Sequence, residues 1–158
     1  MPVSETAFRE ALSHFATGVT VVTSPPLRDR PPVGVTISSF TSVSLKPPLI
    51  LWCLERTADT LPAFREAGTF AVNVLRAEQE ALSTHFSASG GHAFDGVAHE
   101  TGRTGAPLLE GALARLECRK REEYDGGDHL IFLGEVLDAR AWPGDPLLHF
   151  RSAYRGLG

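Results

Sequence analysis

The chain has 158 residues, with 15 Lys and Arg against 19 Asp and Glu and a formal net charge of -4. That length is one domain, residues 1–158, large enough to bury roughly two-thirds of its unfolded surface without a disulfide or metal staple. A composition 42% hydrophobic and 22% charged excludes a disordered chain. The absence of a basic block argues against a nucleic-acid partner. No apolar run approaches the ~20 residues of a membrane span, and the N-terminus lacks a signal-peptide pattern, so no membrane partner and a cytoplasmic location are expected.

In chain order, Ser4 is placed to cap a first helix. Val3 and Phe8 stand at staple positions, and Phe8, Ala11, Leu12 and Phe15 recur at helical spacing up to Gly18. The β-branched run Val19 to Thr23 and the stretch Val33 to Ile37, bracketing a proline-rich charged turn, predict a hairpin. A hydroxyl-rich connection, Ser38 to Ser44, leads through Pro47-Pro48 into an apolar run, Leu49 to Leu54, short enough for a buried strand. A short helix is expected over Leu61 to Ala67, closed by Gly68. Phe70 to Leu75 then reads as a strand, and Ala77 to Phe86 as an amphipathic helix with Leu82 and Phe86 on one face.

From Ser87 to Pro107 five glycines and two histidines stand without a clear period, which reads as one long loop, functional or mobile. Ala114, Leu116 and Cys118 alternate with Arg115, Glu117 and Arg119, the pattern of a strand with one wet face. The turn Asp125-Gly126-Gly127-Asp128 joins it to a strand from His129 to Val136, and a last strand spans Leu147 to Phe150. Strands outnumber helices and the connections are of hairpin type, so the expected fold is mostly β, a small antiparallel barrel with helices at its ends.

The chemistry is narrowed first by what is missing. No Gly-x-Gly-x-x-Gly, Walker loop, His-Glu-x-x-His or Gly-x-Ser-x-Gly elbow occurs, which removes Rossmann dehydrogenases, P-loop ATPases and zinc proteases. Cys53 and Cys118, without a Cys-x-x-Cys pairing, read as buried free thiols. His85, His92 and His99 are evenly spaced but show no ligand pattern, so no metal is expected.

Thr36, Ser38, Ser39, Thr41, Ser42 and Ser44 crowd one short segment. They fit either a turn bonded to its own backbone, which composition alone favours, or a strand end that receives a polar ring edge and a ribityl or phosphate chain. Arg56-Thr57-Ala58-Asp59-Thr60 precedes the second helix and fits either an ordinary cap or an anion site built from N–H groups, hydroxyls and an arginine fork. His129 opens a strand after a Gly-Gly-Asp turn. It is either a hydrogen-bonded packing residue or an imidazole displayed at a rim, able to bond a carboxamide or manage a proton.

The motifs taken together resemble the short-chain flavin reductases, the reductase partners of two-component flavin monooxygenases. The resemblance runs through Phe15 to Thr23, Gly34 to Pro48, and Phe70 to Leu75 with Gln79. It continues in Gly127-Asp128-His129 ahead of Gly134-Glu135-Val136, and in Pro146-Leu147-Leu148 with Phe150 and Tyr154-Arg155. It implies a split β-barrel that binds FMN or FAD, a homodimer with the flavin near the subunit interface, and NADH or NADPH as hydride donor to a flavin that leaves to serve a monooxygenase. Carried over by position, Thr36, Ser38, Ser39, Thr41 and Ser42 would contact the isoalloxazine and ribityl chain, and Cys53 and Leu54 would line the pocket through their backbone. Arg56, Thr57 and Thr60 would hold the phosphate end, Phe94 and Tyr154 would join the cofactor contacts, and His129 would stand by the nicotinamide. The chain departs from the family pattern at Ala93, where many members carry Lys or Arg before the phenylalanine. That departure keeps a second reading open, a flavin carrier or tailoring enzyme of the same fold without nicotinamide-dependent reduction.

Overall fold

The computed structural model describes residues 2–158. Ser4 caps the first helix, its hydroxyl accepting the Ala7 N–H at 3.2 Å, and α1 covers Glu5–Ser13, ending short of Gly18. The helix buries none of its residues. Phe8 and Leu12, with Phe15 just beyond, are 52%, 55% and 74% exposed, so the apolar face that its spacing reserves for a core looks outward in the single chain.

β1 (Thr17–Gly18) leads into β2 (Thr20–Thr23), buried throughout. β2 pairs antiparallel with β3 (Gly34–Ile37), Thr20 opposite Ile37, which is the hairpin expected from the two β-branched runs. The hydroxyl-rich connection is shorter than its sequence suggested. Its second half is strand β4 (Thr41–Leu45), laid against β5 (Pro48–Glu55), because pairing with a neighbouring edge overrides the turn preference of serine. Helix α2 (Leu61–Glu66) ends on Ala67 in extended conformation, without the glycine cap.

After β6 (Thr69–Val74), a 3-10 turn over Ala77–Gln79 feeds α3 (Glu80–Ser87). The region read as one loop contains a small hairpin, β7 (His99–Thr101) with β8 (Pro107–Leu109), whose strands are too short for a sequence period to register. β9 (Ala114–Gly126) and β10 (His129–Ala141) then form a long hairpin. It reverses at Gly127-Asp128, where Gly127 takes φ 75°, a left-handed conformation that favours glycine. β11 (Leu148–Phe150) pairs with β1 and with β12 (Ala153–Arg155).

The main sheet is seven-stranded and antiparallel, in the order β3-β2-β6-β9-β10-β5-β4. The expected mostly β, antiparallel architecture is present, and the sheet is not closed: it is an open ladder whose two outermost strands, β3 and β4, are consecutive in the chain. Residues 38–40 therefore bridge the gap between the two sheet edges.

The core explains the spacing of the apolar strands. Trp52 is fully buried, stacked on Phe132 at 4.6 Å between ring centroids, with Phe64 at 4.9 Å and Phe70 at 5.6 Å edge-on. Gly134 admits this packing, since a Cβ there would strike the Phe70 ring and lie 3.3 Å from the Cys118 Cβ. Buried Asn73 ties β8 to the sheet: its side-chain N–H donates to the Val21 carbonyl at 3.1 Å and its oxygen accepts the Leu109 N–H at 2.8 Å. No helix among the described residues is long and apolar enough to cross a membrane.

Candidate active site

A cavity of about 530 Å3 opens where the sheet fails to close, a size ordinary for a small-molecule site. One wall is β3 and its exit, residues 35–39; the other is the end of β5 and the turn beyond it, residues 53–55 and 57–60. His129, first residue of β10, stands at the rim, and the end of α3 with the segment after it contributes residues 86–90 and His92. An open ladder leaves main-chain groups at two neighbouring edges without strand partners, and a ligand set between them can use those groups.

The expected residues divide clearly. Thr36, Ser38, Ser39, Cys53, Leu54, Thr57, Thr60 and His129 line this cavity. Thr41 lines a second groove, which shares Ser38 and Ser39 with the first. Ser42, Arg56, Phe94 and Tyr154 line neither. Phe94 packs on Phe86 and His99, with ring centroids 5.1 and 5.0 Å away, and the Tyr154 hydroxyl shares a 2.6 Å hydrogen bond with Ser83. Both belong to the packing behind α3.

Some of the hydroxyls have structural duties. Thr36 donates to the Ser83 carbonyl at 2.7 Å, fastening β3 to α3. The Ser39 hydroxyl accepts the Cys53 N–H at 2.9 Å and donates to the Cys53 carbonyl at 3.1 Å. A single side chain thus takes the place of a strand neighbour beyond the last β4·β5 pair on this side, Thr41 with Leu51, and the Cys53 backbone expected to meet a ligand directly is already engaged. Ser39→Ala is expected to cost about 1 kcal/mol of stability, the net worth of such bonds, and to speed exchange of the Cys53 amide hydrogen. Thermal unfolding together with residue-resolved hydrogen exchange checks both, and unchanged protection at Cys53 refutes the clasp.

Cys53 is half-buried on the cavity wall and Cys118 fully buried. Burial raises the Cys53 thiol pKa against the lowering influence of the Ser39 hydrogen bond. Burial, with the nearby Glu117 charge, pushes Cys118 up to about 12. Neither is the thiolate that nucleophilic chemistry requires at neutral pH.

The wall formed by residues 57–60 retains unused donors. The N–H groups of Thr57, Asp59 and Thr60 have no partner among the described residues, and neither does the buried Thr60 hydroxyl. No lysine or arginine lines the cavity among the described residues; its charged side chains are Glu55 and Asp59. Arg56 turns away, its Nε donating to the Gly127 carbonyl at 2.7 Å and its Nη2 to the Asp125 carboxylate.

Asp128, which sequence reasoning passed over as a turn residue, accepts from His129 Nδ1 at 2.7 Å. That hydrogen bond, then the imidazole's charge, lowers the Asp128 carboxyl pKa. The carboxylate stays ionised near neutrality and holds the ring with Nδ1–H toward it, leaving Nε2 free. The Gly-Asp-His order was the available signal, because a carboxylate beside an imidazole can set its tautomer.

The segment carrying His92 is docked. The Gly34 N–H donates to the His92 carbonyl at 3.0 Å, and His85 Nε2 bonds the Ala93 carbonyl at 2.8 Å. Gly34 allows this approach, since a Cβ there would lie 2.8 Å from the Phe86 ring and 3.3 Å from Phe94. The three evenly spaced histidines go to different places: His85 to that carbonyl, His92 to the cavity wall, and His99 Nδ1 to the Val97 carbonyl at 2.7 Å.

Comparison with known proteins agrees with this geometry. Residues 12–158 match the model of the flavin reductase like domain. The FMN reductase (NADH) SmoA of Agrobacterium fabrum is 47% identical over 148 residues, covering 94% of this chain and 83% of that protein. The reductase component of 4-hydroxyphenylacetate 3-monooxygenase from Thermus thermophilus is 42% identical, covering 96% of this chain and 95% of its own. Among solved structures, the NADH:FAD oxidoreductase SgcE6 of Streptomyces globisporus, in complex with NAD and FAD fragments, superposes with a TM-score of 0.91 at 42% identity, covering 98% of this chain and 93% of that one. An antiparallel sheet left open over a hydroxyl-lined cavity, and a sequence match that runs over nearly the whole chain, have one explanation: this chain belongs to the flavin reductase like domain family.

Proposed function

We propose that the chain is an NAD(P)H:flavin oxidoreductase that reduces FMN or FAD and releases it to a flavin-dependent monooxygenase. The observation that carries this reading is the cavity itself, with hydroxyls, unpaired N–H groups and an oriented imidazole but no cationic side chain on its wall among the described residues. Relatives named as NADH-dependent FMN reductase and as a monooxygenase reductase component support it.

The residues fit a flavin. Ser38 and the strand-edge groups beside it suit the polar edge of the ring and the ribityl hydroxyls, while Thr57, Thr60 and the free N–H groups of residues 57–60 suit the phosphate end. A bound flavin would supply the hydride acceptor, with the reduced nicotinamide giving the hydride, water the proton, and oxidised nicotinamide as the other product. The protein's part is to stack the two rings in order, and a wall of small polar groups does so without a catalytic acid. His129, its Nδ1–H held by Asp128, keeps Nε2 free, and that nitrogen would accept from the nicotinamide carboxamide.

The finer architecture follows the same reading: one domain over the whole chain, with the open ladder forming a split β-barrel. The second, more apolar groove beside the flavin cavity is lined by Leu12, Phe15, Phe40 and His149. Exposed apolar side chains there and along α1 support a homodimer in which a second copy covers this groove next to the flavin. Two free cysteines suit the reducing cytoplasm.

The test is NADH and NADPH oxidation followed at 340 nm with and without added FMN or FAD, in air and without oxygen. Turnover that requires added flavin is expected. Absence of turnover while flavin fluorescence is still quenched on mixing refutes the reductase and leaves a flavin-binding protein of another chemistry.

A further inference from the structure

We infer that Arg56 is a positioning residue for His129, bracing the turn that carries the imidazole, and not a ligand of the flavin phosphate. The inference rests on the reading of the cavity as a flavin and nicotinamide site. Three contacts from this one residue reach the β9–β10 turn. The guanidinium Nε donates to the Gly127 carbonyl at 2.7 Å, Nη2 donates to the Asp125 carboxylate, and the main-chain N–H donates to the Asp128 carbonyl at 2.9 Å.

The turn needs such a brace. Its residues, Asp125 to Asp128, have no apolar side chain to bury, and the Asp125 and Asp128 side chains are 80% and 93% exposed. The ladder between β5 and β10 ends at the pair His129 with Glu55, so beyond that pair, among the described residues, the hydrogen bonds that tie the turn to the end of β5 come from Arg56. A guanidinium fork donates in two fixed directions at once, which locks both a carbonyl and a carboxylate in place, whereas an ammonium is a single point donor. Since Asp128 in turn holds His129 Nδ1, fixing its main chain fixes the imidazole at the rim.

The same geometry argues against a phosphate ligand. Glu55 and Thr57 line the cavity while Arg56 between them does not. To reach a phosphate the side chain would have to release both Asp125 and the Gly127 carbonyl, and Asp125 already neutralises its charge.

The experiment compares wild type with Arg56→Met and Arg56→Lys, and with Asp125→Asn as an independent way to loosen the fork. Dissociation constants for FMN and for riboflavin, which lacks the phosphate, are read from flavin fluorescence quenching. KM and kcat for NADH are measured at saturating flavin, and the His129 ring resonances are recorded in flavin-free protein. For Arg56→Met, KM for NADH is expected to rise about three- to tenfold, the size of one exposed ion pair and its hydrogen bond. The His129 resonances shift, and both flavin constants stay within about twofold of wild type, about 0.4 kcal/mol. Arg56→Lys restores little, and Asp125→Asn moves KM and the resonances in the same direction by less.

A loss of affinity for FMN that riboflavin does not share makes Arg56 a phosphate ligand and overturns the inference. So do an unmoved KM and unmoved His129 resonances, which would make it an ordinary surface residue. If wild type neither binds flavin nor oxidises NADH, the functional reading fails on its own, and the flavin-free resonances still decide whether Arg56 braces the turn.

Discussion

Trp52→Ala is expected to destabilise the protein by about 3–5 kcal/mol, the usual cost of deleting a fully buried aromatic side chain. The indole is wholly excluded from solvent and touches three rings, Phe64, Phe70 and Phe132, contributed by α2, β6 and β10. Those rings belong to three separate elements, so no single side-chain rotation fills the void and most of the cavity persists. Against a typical total of about 5–15 kcal/mol, the loss is a large share of the folding free energy. Trp52→Phe supplies the control. It shrinks the ring but also removes the indole N–H, which is buried without a partner among the described residues, a group whose burial itself costs about 1–3 kcal/mol. The expected cost of the phenylalanine is therefore less than half that of the alanine. Urea unfolding of the three proteins checks the order, and a loss below about 1 kcal/mol for Trp52→Ala shows that the core is not centred on this ring.

The effect reaches the cavity because strand β5 alternates. Ile50, Trp52 and Leu54 point into the core while Cys53 stands on the opposite face. Leu54 is both core and cavity floor, so slack beneath it is expected to weaken flavin binding as well as stability. Measured affinity should fall in Trp52→Ala and hold in Trp52→Phe.

His129→Ala is expected to lower kcat/KM for the reduced nicotinamide by about tenfold, the worth of one well-placed hydrogen bond in a partly dry site. Flavin affinity should stay near wild type, since the residues proposed for the ring and the phosphate end lie at β3, β5 and the turn after it. Asp128→Asn should give a smaller loss of about threefold, because an amide oxygen still accepts from Nδ1 but without charge. An unchanged kcat/KM in His129→Ala removes the imidazole from the nicotinamide side. The Asp128 carboxyl, held below its ordinary pKa by His129, is protonated only on acidification. The pairing is therefore fully present near neutrality and is lost as pH falls through that lowered pKa.

Much was legible in the sequence because it is written locally. Period-2 runs, β-branched residues and a Gly-Gly turn act within a few positions of themselves, and the β2–β3 and β9–β10 hairpins follow from them. The first helix was readable from its cap and its spacing, yet its apolar face lies exposed, because spacing states that a face is apolar and not what covers it. Whether the sheet closes was not legible for a related reason: strand number and hairpin order are local, whereas closure depends on whether two distant edges pair.

Within the site, the sequence by itself determined which residue types were present: the hydroxyl run from Thr36 to Ser42, the donors before α2, and a histidine after a tight turn. Only the tertiary structure decided how each was used. Ser39 and Cys53 meet across 14 positions, Thr36 and Ser83 across 47, and Arg56 and Asp125 across 69. A side chain with several rotamers takes the partner that packing delivers, and that partner comes from distant chain brought close by the whole sheet. Arg56 has the chemistry of a phosphate ligand, and in this fold its guanidinium bonds the β9–β10 turn.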